Sequence, residues 1–483
     1  MPMGVPAASP AGRWLIAGTV LGSGVAFLDS TVVNVALPAM ARDLDTGLGG
    51  QQWVLDGYLL TLSALILPGG AVGDRYGRRR IFVIGLVVFA AASMACGLAP
   101  TSGWLIAARI VQGIGAAAVV PGSLALIDAG INESDRGRAI GLWAGMSGAT
   151  SALGPFVGGW LVDAASWRWV FFLGVPFALG AVWIAVRHIP ESRDTTVTGR
   201  LDIAGAAAIT VGLTGVIYAL IEGPARGWTA TVVVAVVAGV GALVVFVVCE
   251  RRADAPLLPL GLFRSWQFTG ANLTTLVVYA ALGGALFLLA LQLQQSMDYS
   301  AFEAGVATVP STVIMLFGSP LSGRLAQFTG PRLPMTVGPF IAAGGLALMA
   351  RIVPGAGYLD AVLPAVVLFG VGMTITVAPL TAAALGAVDA AHSGTASGVN
   401  NAVARVASLL AVAVLPVVAG IDAGPDQPLG QGFSTAMYIA AICCAVGGVI
   451  AAASIRSGAR VSTHVQPSVG HACQPPEPAT GPR

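Results

Sequence analysis

Three ionisable side chains interrupt long apolar stretches of this 483-residue chain. They are Asp29 in Leu28-Asp29-Ser30-Thr31-Val32-Val33-Asn34, Asp56 in Val54-Leu55-Asp56-Gly57, and Arg109 in Arg109-Ile110-Val111-Gln112-Gly113. A charge at the centre of a bilayer costs about 2.5 to 3.5 kcal/mol on insertion scales, so residues of this kind mark ion or substrate pathways by default. Burial raises the pKa of a carboxyl group and a neighbouring Arg lowers it; an acid balanced between the two exchanges protons near neutral pH. The chemistry on offer is therefore proton uptake and release. Counting about 1.5 Å per residue from outer ends near 38, 52 and 104 places Asp29 roughly 14 Å deep, Asp56 roughly 6 Å and Arg109 roughly 8 Å. At those depths Arg109 can pair with either acid. Asp29, Asp56 and Arg109 are thus the expected proton-coupling residues, and a static structural ion pair is the alternative.

Elements that hold such charges must themselves be apolar. Of all residues 56% are hydrophobic and 10% charged, against roughly 25% charged in soluble domains, which excludes an ordinary soluble enzyme. Apolar stretches long enough to span a bilayer fall at about 14 to 38, 52 to 72, 81 to 99, 104 to 127, 139 to 162 and 168 to 187. A pair follows at about 203 to 222 and 229 to 249, then six more at about 267 to 291, 302 to 326, 333 to 353, 361 to 386, 395 to 420 and 433 to 455. The expected fold is an all-α polytopic membrane protein with fourteen transmembrane helices. Its parts are a tail over 1–13, a six-helix bundle over 14–190, two additional helices with flanking loops over 191–262, a second six-helix bundle over 263–456, and a disordered tail over 457–483. The two additional helices offer no chemistry and read as lipid-facing. The first stretch exceeds a signal-peptide core and is read as a retained helix.

All 24 basic residues are Arg, and the net charge is only +2, so nothing points to nucleic acid. Most of the arginines, among them Arg75, Arg78, Arg79, Arg80, Arg136 and Arg138, fall on the side shared by both termini, while Arg42, Arg168, Arg226 and Arg351 fall on the other. By the positive-inside rule both termini are cytoplasmic. The five cysteines are scattered and the four histidines lie in loops or the tail, so no metal site is expected. Without Lys no phosphate-binding Gly-x-x-x-x-Gly-Lys loop exists, and no cofactor is implied. The 64 glycines suit close helix packing. A weak internal repeat relates Gly113, Gly115 and Pro121 to Gly370, Gly372 and Pro379, as in paired-bundle transporters.

The loop segment Gly70-Ala71-Val72-Gly73-Asp74-Arg75-Tyr76-Gly77-Arg78-Arg79-Arg80 resembles the cytoplasmic signature of the major facilitator superfamily. Its glycines allow a tight turn, and Asp74 near a helix N-terminus is favoured by the macrodipole. Arg78 can bridge neighbouring acids, with Asp128 as the candidate second partner, to form a gating lock; simple positive-inside anchoring is the bland reading. Arg109 to Gly115 resembles the fourth-helix motif of proton-coupled members. Gly145, Gly148, Gly154-Pro155 and Gly158-Gly159 are spaced like the antiporter signature, where close packing would seal the cavity against proton leak. With Ile221-Glu222-Gly223-Pro224 and Ala396-Ser397-Gly398 through Arg405, the chain resembles the 14-helix drug:proton antiporters of the antibiotic and multidrug exporter type over about 14 to 455.

The resemblance implies two six-helix bundles that rock about a central cavity. It implies a non-enzymatic, proton-coupled antiporter exporting a drug or antibiotic across the bacterial cell membrane. A proton-linked exporter or symporter of an endogenous metabolite is the alternative. The partners implied are a small organic substrate, protons and the lipid bilayer, with the chain as a monomer. Two departures stand out: Arg324 occupies the place of Asp74 in the second half, and the span at 361 to 386 lacks an acid, which argues against dication export. Cavity candidates are Asn34, Gln112, Asn272, Tyr279, Gln292 and Arg405, the last being either a carbonyl-bonded structural residue or a contact for an anion or substrate.

Overall fold

Lipid gives backbone amides no partner, so a chain of this composition must satisfy its hydrogen bonds within helices. The computed structural model describes residues 4–193, 202–253, 256–388, 393–421 and 429–456, and the tail expected over 457–483 lies outside them. Among the described residues the fold is helical: α1 (Pro10–Asp43), α2 (Leu48–Tyr76), α3 (Arg78–Gly97), α4 (Ser102–Gly130), α5 (Glu133–Ala164), α6 (Arg168–His188), α7 (Ile203–Arg226), α8 (Ala230–Arg252), α9 (Trp266–Leu291), α10 (Ala301–Thr329), α11 (Arg332–Met349), α12 (Leu363–Leu385), α13 (Ser393–Val418) and α14 (Gly430–Ser454). Every expected span has its helix, and most helices outrun the apolar stretch. Polar residues at the ends supply caps, as Ser9, Thr101, Asn132 and Thr229 do for α1, α4, α5 and α8. Thirteen are long and apolar enough to cross a membrane. The exception, α5, opens on Glu133, Asp135, Arg136 and Arg138 and is rich in glycine, because it packs against α1 and α10.

Helices α1–α6 pack on one another and α9–α14 do the same in the same pattern. The repeated glycines explain why. Gly113 of α4 lies against Tyr58 and Thr61 of α2, and Gly115 against Gly85 and Phe89 of α3. Gly370 of α12 lies against Ser311 of α10, and Gly372 against Ala342 of α11. In both bundles one helix uses two glycines, two residues apart, to bring two neighbours to backbone contact.

The additional pair differs from expectation. Helix α8 exposes Val234, Val237, Val244 and Val245 as a lipid-facing helix would. Helix α7 instead wedges into the junction of the bundles, with Ile217 and Ile221 packed against Leu60 of α2 and Leu409 and Ala413 of α13. Trp53 Nε1 donates to Glu222 Oε1 at 3.0 Å and pins it there.

The bundles meet along two seams, α5 with α10 and α2 with α13. At the end far from the termini they are shut. Gly159 lies against the backbone of Ala301 and Phe302, Gly305 against that of Pro155, and the rings of Phe156 and Phe302 are 5.3 Å apart. Gln52 Nε2 donates to the Val412 carbonyl at 2.7 Å, and Gln294 Nε2 to that of Val35 at 2.9 Å. The Asp163 carboxylate, at the end of α5, accepts the amides of Ala301 (3.2 Å) and Phe302 (2.8 Å), capping α10 from the opposite bundle. Toward the terminal end α5 leaves α10: Gly137, Gly141, Gly145 and Gly148 face open space, and Phe317, Leu321 and Phe328 of α10 are exposed. The molecule is closed at its far end, and toward the end shared by its termini α5 and α10 part while α2 and α13 stay in contact, Gly398 against Leu67.

Candidate functional site

Helix α4 places Arg109 and Gln112 one turn apart on the face shared by α1, α2 and α3. Arg109 Nη1 donates to Asp29 Oδ2 at 2.5 Å and to Gln112 Oε1 at 2.6 Å. Gln112 Nε2 donates to Asp29 Oδ1 at 2.9 Å and to Ser93 Oγ at 2.9 Å, and Arg109 Nε donates to the Val54 carbonyl at 3.0 Å. The guanidinium lies 4.3 Å from the Tyr58 ring centroid, and Nη2 has no acceptor among the described residues. Arg109 is 0% exposed and the Asp29 side chain 6%. Both carboxylate oxygens are bonded, so the arrangement satisfies an ionised Asp29. Ser93, Tyr58 and the Val54 carbonyl carry no sequence signal for this role; their parts follow from how the helices are rotated.

Asp56 does not join this cluster. Successive helix residues are about 100° apart. Val54, Gly57, Tyr58 and Thr61 face α4, where Thr61 Oγ1 donates to the Ile110 carbonyl at 2.9 Å. Positions 52, 56 and 60 therefore look the other way, with Gln52 bonded to α13 and Leu60 packed on α7 and α13. Asp56 is 0% exposed, and neither carboxyl oxygen has a partner among the described residues. The expected pairing of Arg109 with either acid reduces to Asp29.

The cavity candidates separate in the same way. Gln112 belongs to the ion-pair cluster. Gln292 Nε2 donates to the Ile352 carbonyl at 2.8 Å inside the second bundle. Asn272 is buried in a neutral network in which Asn400, unnoticed in the sequence, donates to it at 3.2 Å and to Thr275 Oγ1 at 2.8 Å. Asn34 donates to Ser30 of its own helix and stays half-buried, as do Tyr279 and Arg405. Arg405 is not carbonyl-bonded: among the described residues it donates no hydrogen bond and forms no ion pair, and its guanidinium lies 5.3 Å from the Phe27 ring of α1.

In the loop signature Asp74 lies in the last turn of α2 rather than at a helix N-terminus, where the macrodipole disfavours an anion. Arg78 compensates it, Nε to Oδ1 at 2.7 Å, and donates to the Ala125 carbonyl at 3.3 Å. Gly77 makes the turn at φ 116°, Gly70 lies against Pro121, and the Arg75 guanidinium stands 5.8 Å from the Tyr76 ring. Asp128 pairs with Arg136 at 3.1 Å instead of Arg78, one helix connection away. The N-terminus of α3 is served by Glu191, whose carboxylate accepts the amides of Arg79 and Arg80 at 3.0 and 3.1 Å. In the antiporter-like segment Gly154 and Gly158 lie against Thr31 and Val32 of α1 and Gly159 against α10, whereas Gly145 and Gly148 touch nothing. No group of His, Cys, Asp and Glu among the described residues could hold a metal ion.

The family model described as Major Facilitator Superfamily matches residues 19–412. The chain is 38% identical over 428 residues to the methylenomycin A resistance protein of Bacillus subtilis, covering 87% of this chain and 90% of that one. It is 38% identical to the puromycin resistance protein pur8 of Streptomyces alboniger, covering 81% and 78%. Among solved structures it resembles a POT family transporter in complex with a thioalcohol-conjugated peptide, with a TM-score of 0.70 at 14% identity over 92% of this chain and 97% of that one, a likeness of fold.

Proposed function

Because this chain belongs to the Major Facilitator Superfamily, we propose that it exports an antibiotic or drug-like organic compound across the bacterial plasma membrane in exchange for protons. The observation that carries the proposal is the buried Asp29–Arg109–Gln112 cluster, a carboxylate held in the membrane by groups that satisfy its charge. The named relatives support the cargo, since they confer resistance to methylenomycin A and puromycin by their own descriptions. The arginine distribution supports a cytoplasmic position for the termini and for the end where α5 and α10 part.

In this cycle the cargo enters the cleft between the bundles from the cytoplasm while Asp29 is ionised and paired. The bundles rock, the α5–α10 and α2–α13 contacts at the far end part, and the cargo leaves. A proton arriving from outside neutralises Asp29 and frees Arg109. The reverse rocking ends when the proton departs inward and the pair re-forms. Asp56, at the seam of α2 with α7 and α13, is a second protonation site that follows seam closure. Asp74 and Arg78 hold the α2–α3 turn to α4 and contribute to gating. A proton crossing ~150 mV supplies about 3.5 kcal/mol, which supports a gradient of roughly 300-fold for a neutral solute.

The test is export in a pump-deficient host challenged with a drug panel, with and without a protonophore. Asp29→Asn should reach the membrane in normal amount yet lose uphill export. Export by that variant equal to the parent's, or export indifferent to the protonophore, rejects the proposal. In energised inverted vesicles an exchanger fed its cargo raises the lumenal pH, and a symporter does not.

A further inference from the structure

Charged residues inside membrane-spanning helices normally pair with one another or with backbone carbonyls. Among the described residues Arg405 does neither. It lies near the middle of α13, about 18 Å from one end and 20 Å from the other at 1.5 Å per residue. Among the described residues its guanidinium donates no hydrogen bond and has no carboxylate within ion-pair distance. The other mid-membrane charges do not serve it, since Asp29 is taken by Arg109 and Gln112, and Asp56 forms no ion pair. Arg405 is half-buried and reaches from the second bundle toward the first, its guanidinium 5.3 Å from the Phe27 ring centroid. On α1 the residues Phe27, Ser30 and Asn34 are half-buried at helical spacing, on the side from which Phe27 meets Arg405, whereas Thr31 turns to α5.

A positive charge without a counter-ion among the described residues, set beside an aromatic ring where the two bundles face each other, repels cations and attracts anions. The guanidinium fork matches the two oxygens of a carboxylate, and the half-buried Phe27 ring offers stacking to a flat apolar body. We infer that the cargo is an organic anion, a carboxylate or ionised phenol on an aromatic body, and that Arg405 is the residue that binds its charge. The inference rests on the cleft being the cargo's path, as proposed above, and names the class of molecule that path selects.

Full-length protein purified in detergent is titrated with 1-naphthaleneacetate, the neutral 1-naphthaleneacetamide and the cationic 1-naphthylmethylamine, with binding read by quenching of tryptophan fluorescence. The acid is expected to bind roughly 10- to 100-fold more tightly than the other two, the range of one charge-assisted hydrogen bond. Arg405→Gln should erase that preference with little change in melting temperature, since only the contact with the Phe27 ring is lost, and Arg405→Lys should retain part of it. Saturating acid should raise the melting temperature of the parent only. Preference for the cation, no binding by any probe, undiminished acid binding by Arg405→Gln, or a marked fall in that variant's melting temperature overturns the inference. No proton gradient is present in this measurement. Failure here therefore condemns only the cargo class, and loss of protonophore sensitivity in the export assay condemns only the proton exchange.

Discussion

The two bundles are built on one packing plan and are electrically unlike. In the first, α1 and α4 are joined by a buried ion pair with its own hydrogen-bonding shell. The corresponding helices of the second, α9 and α12, carry no charged residue, and the polar centre there is the neutral Asn272–Asn400–Thr275 network. The charge in the middle of the second bundle is Arg405, on α13 and facing the partner bundle rather than its own core. A shared backbone plan thus leaves room for division of labour. One half holds a charge pair that is complete within itself, and the other presents a charge completed only by something that enters.

The sharpest way to break that contrast is to unbalance the pair. Arg109→Ala leaves Asp29 buried and uncompensated, and the expected loss is about 3 to 5 kcal/mol of stability, read as a large fall in detergent melting temperature. Adding Asp29→Leu should recover most of it. A single variant as stable as the parent would show that the first bundle does not depend on the pair.

The junction between the bundles comes next. A methyl on Gly159 would run into the Ala301 backbone, so Gly159→Ala should weaken the closed far end by about 1 to 3 kcal/mol. Spin labels at the far ends of α5 and α10 should then report longer distances. Gly148→Ala, on the same helix but facing open space, should stay within about 0.5 kcal/mol of the parent. Equal effects from the two would refute the α5–α10 crossing. Asp163→Ala removes a helix cap supplied across the junction, worth about 1 kcal/mol, and should shift the same label distances toward the open form by roughly fivefold in population. Unchanged distances would mean the cap does not hold the closed end.

The smallest effect belongs to the additional pair, α7 and α8. Trp53→Phe removes the hydrogen bond to Glu222 at an expected cost of about 0.5 to 1.5 kcal/mol. Cysteine cross-linking between α7 and α2 should weaken while the Asp29 cluster keeps its stability. Undiminished cross-linking would place the anchorage of α7 in its apolar contacts alone.

Much of the architecture was legible before any coordinate. Apolar run length reports spanning helices directly, and the two-glycine pattern of α4 and α12 foretold a repeated packing step. The pairing of Asp29 with Arg109 was also within reach, because both are charges deep in apolar sequence. Other parts of the site were not. Depth along a helix placed Asp56 beside Arg109, but rotation about the helix axis turned it toward α7 and α13. Gln112 and Gln292 looked like cavity residues because polarity does not say whether a side chain is already satisfied. Sequence offers Asp128 to Arg78, but Arg136, just across the α4–α5 connection, pairs with it instead. Glu191 and Asp163 went unnoticed because each serves the N-terminus of a helix distant in sequence.

The sequence by itself determined that this chain lives in a bilayer as a series of helices, how many there are, and which residues carry charge within them. That much is local, since a peptide group in lipid must be satisfied by its near neighbours along the chain. Tertiary structure alone decided which charges meet, which is left open, and which glycines touch another backbone. Those outcomes depend on the rotation and crossing of helices, where one residue of phase turns a side chain by about 100° from one neighbour to another.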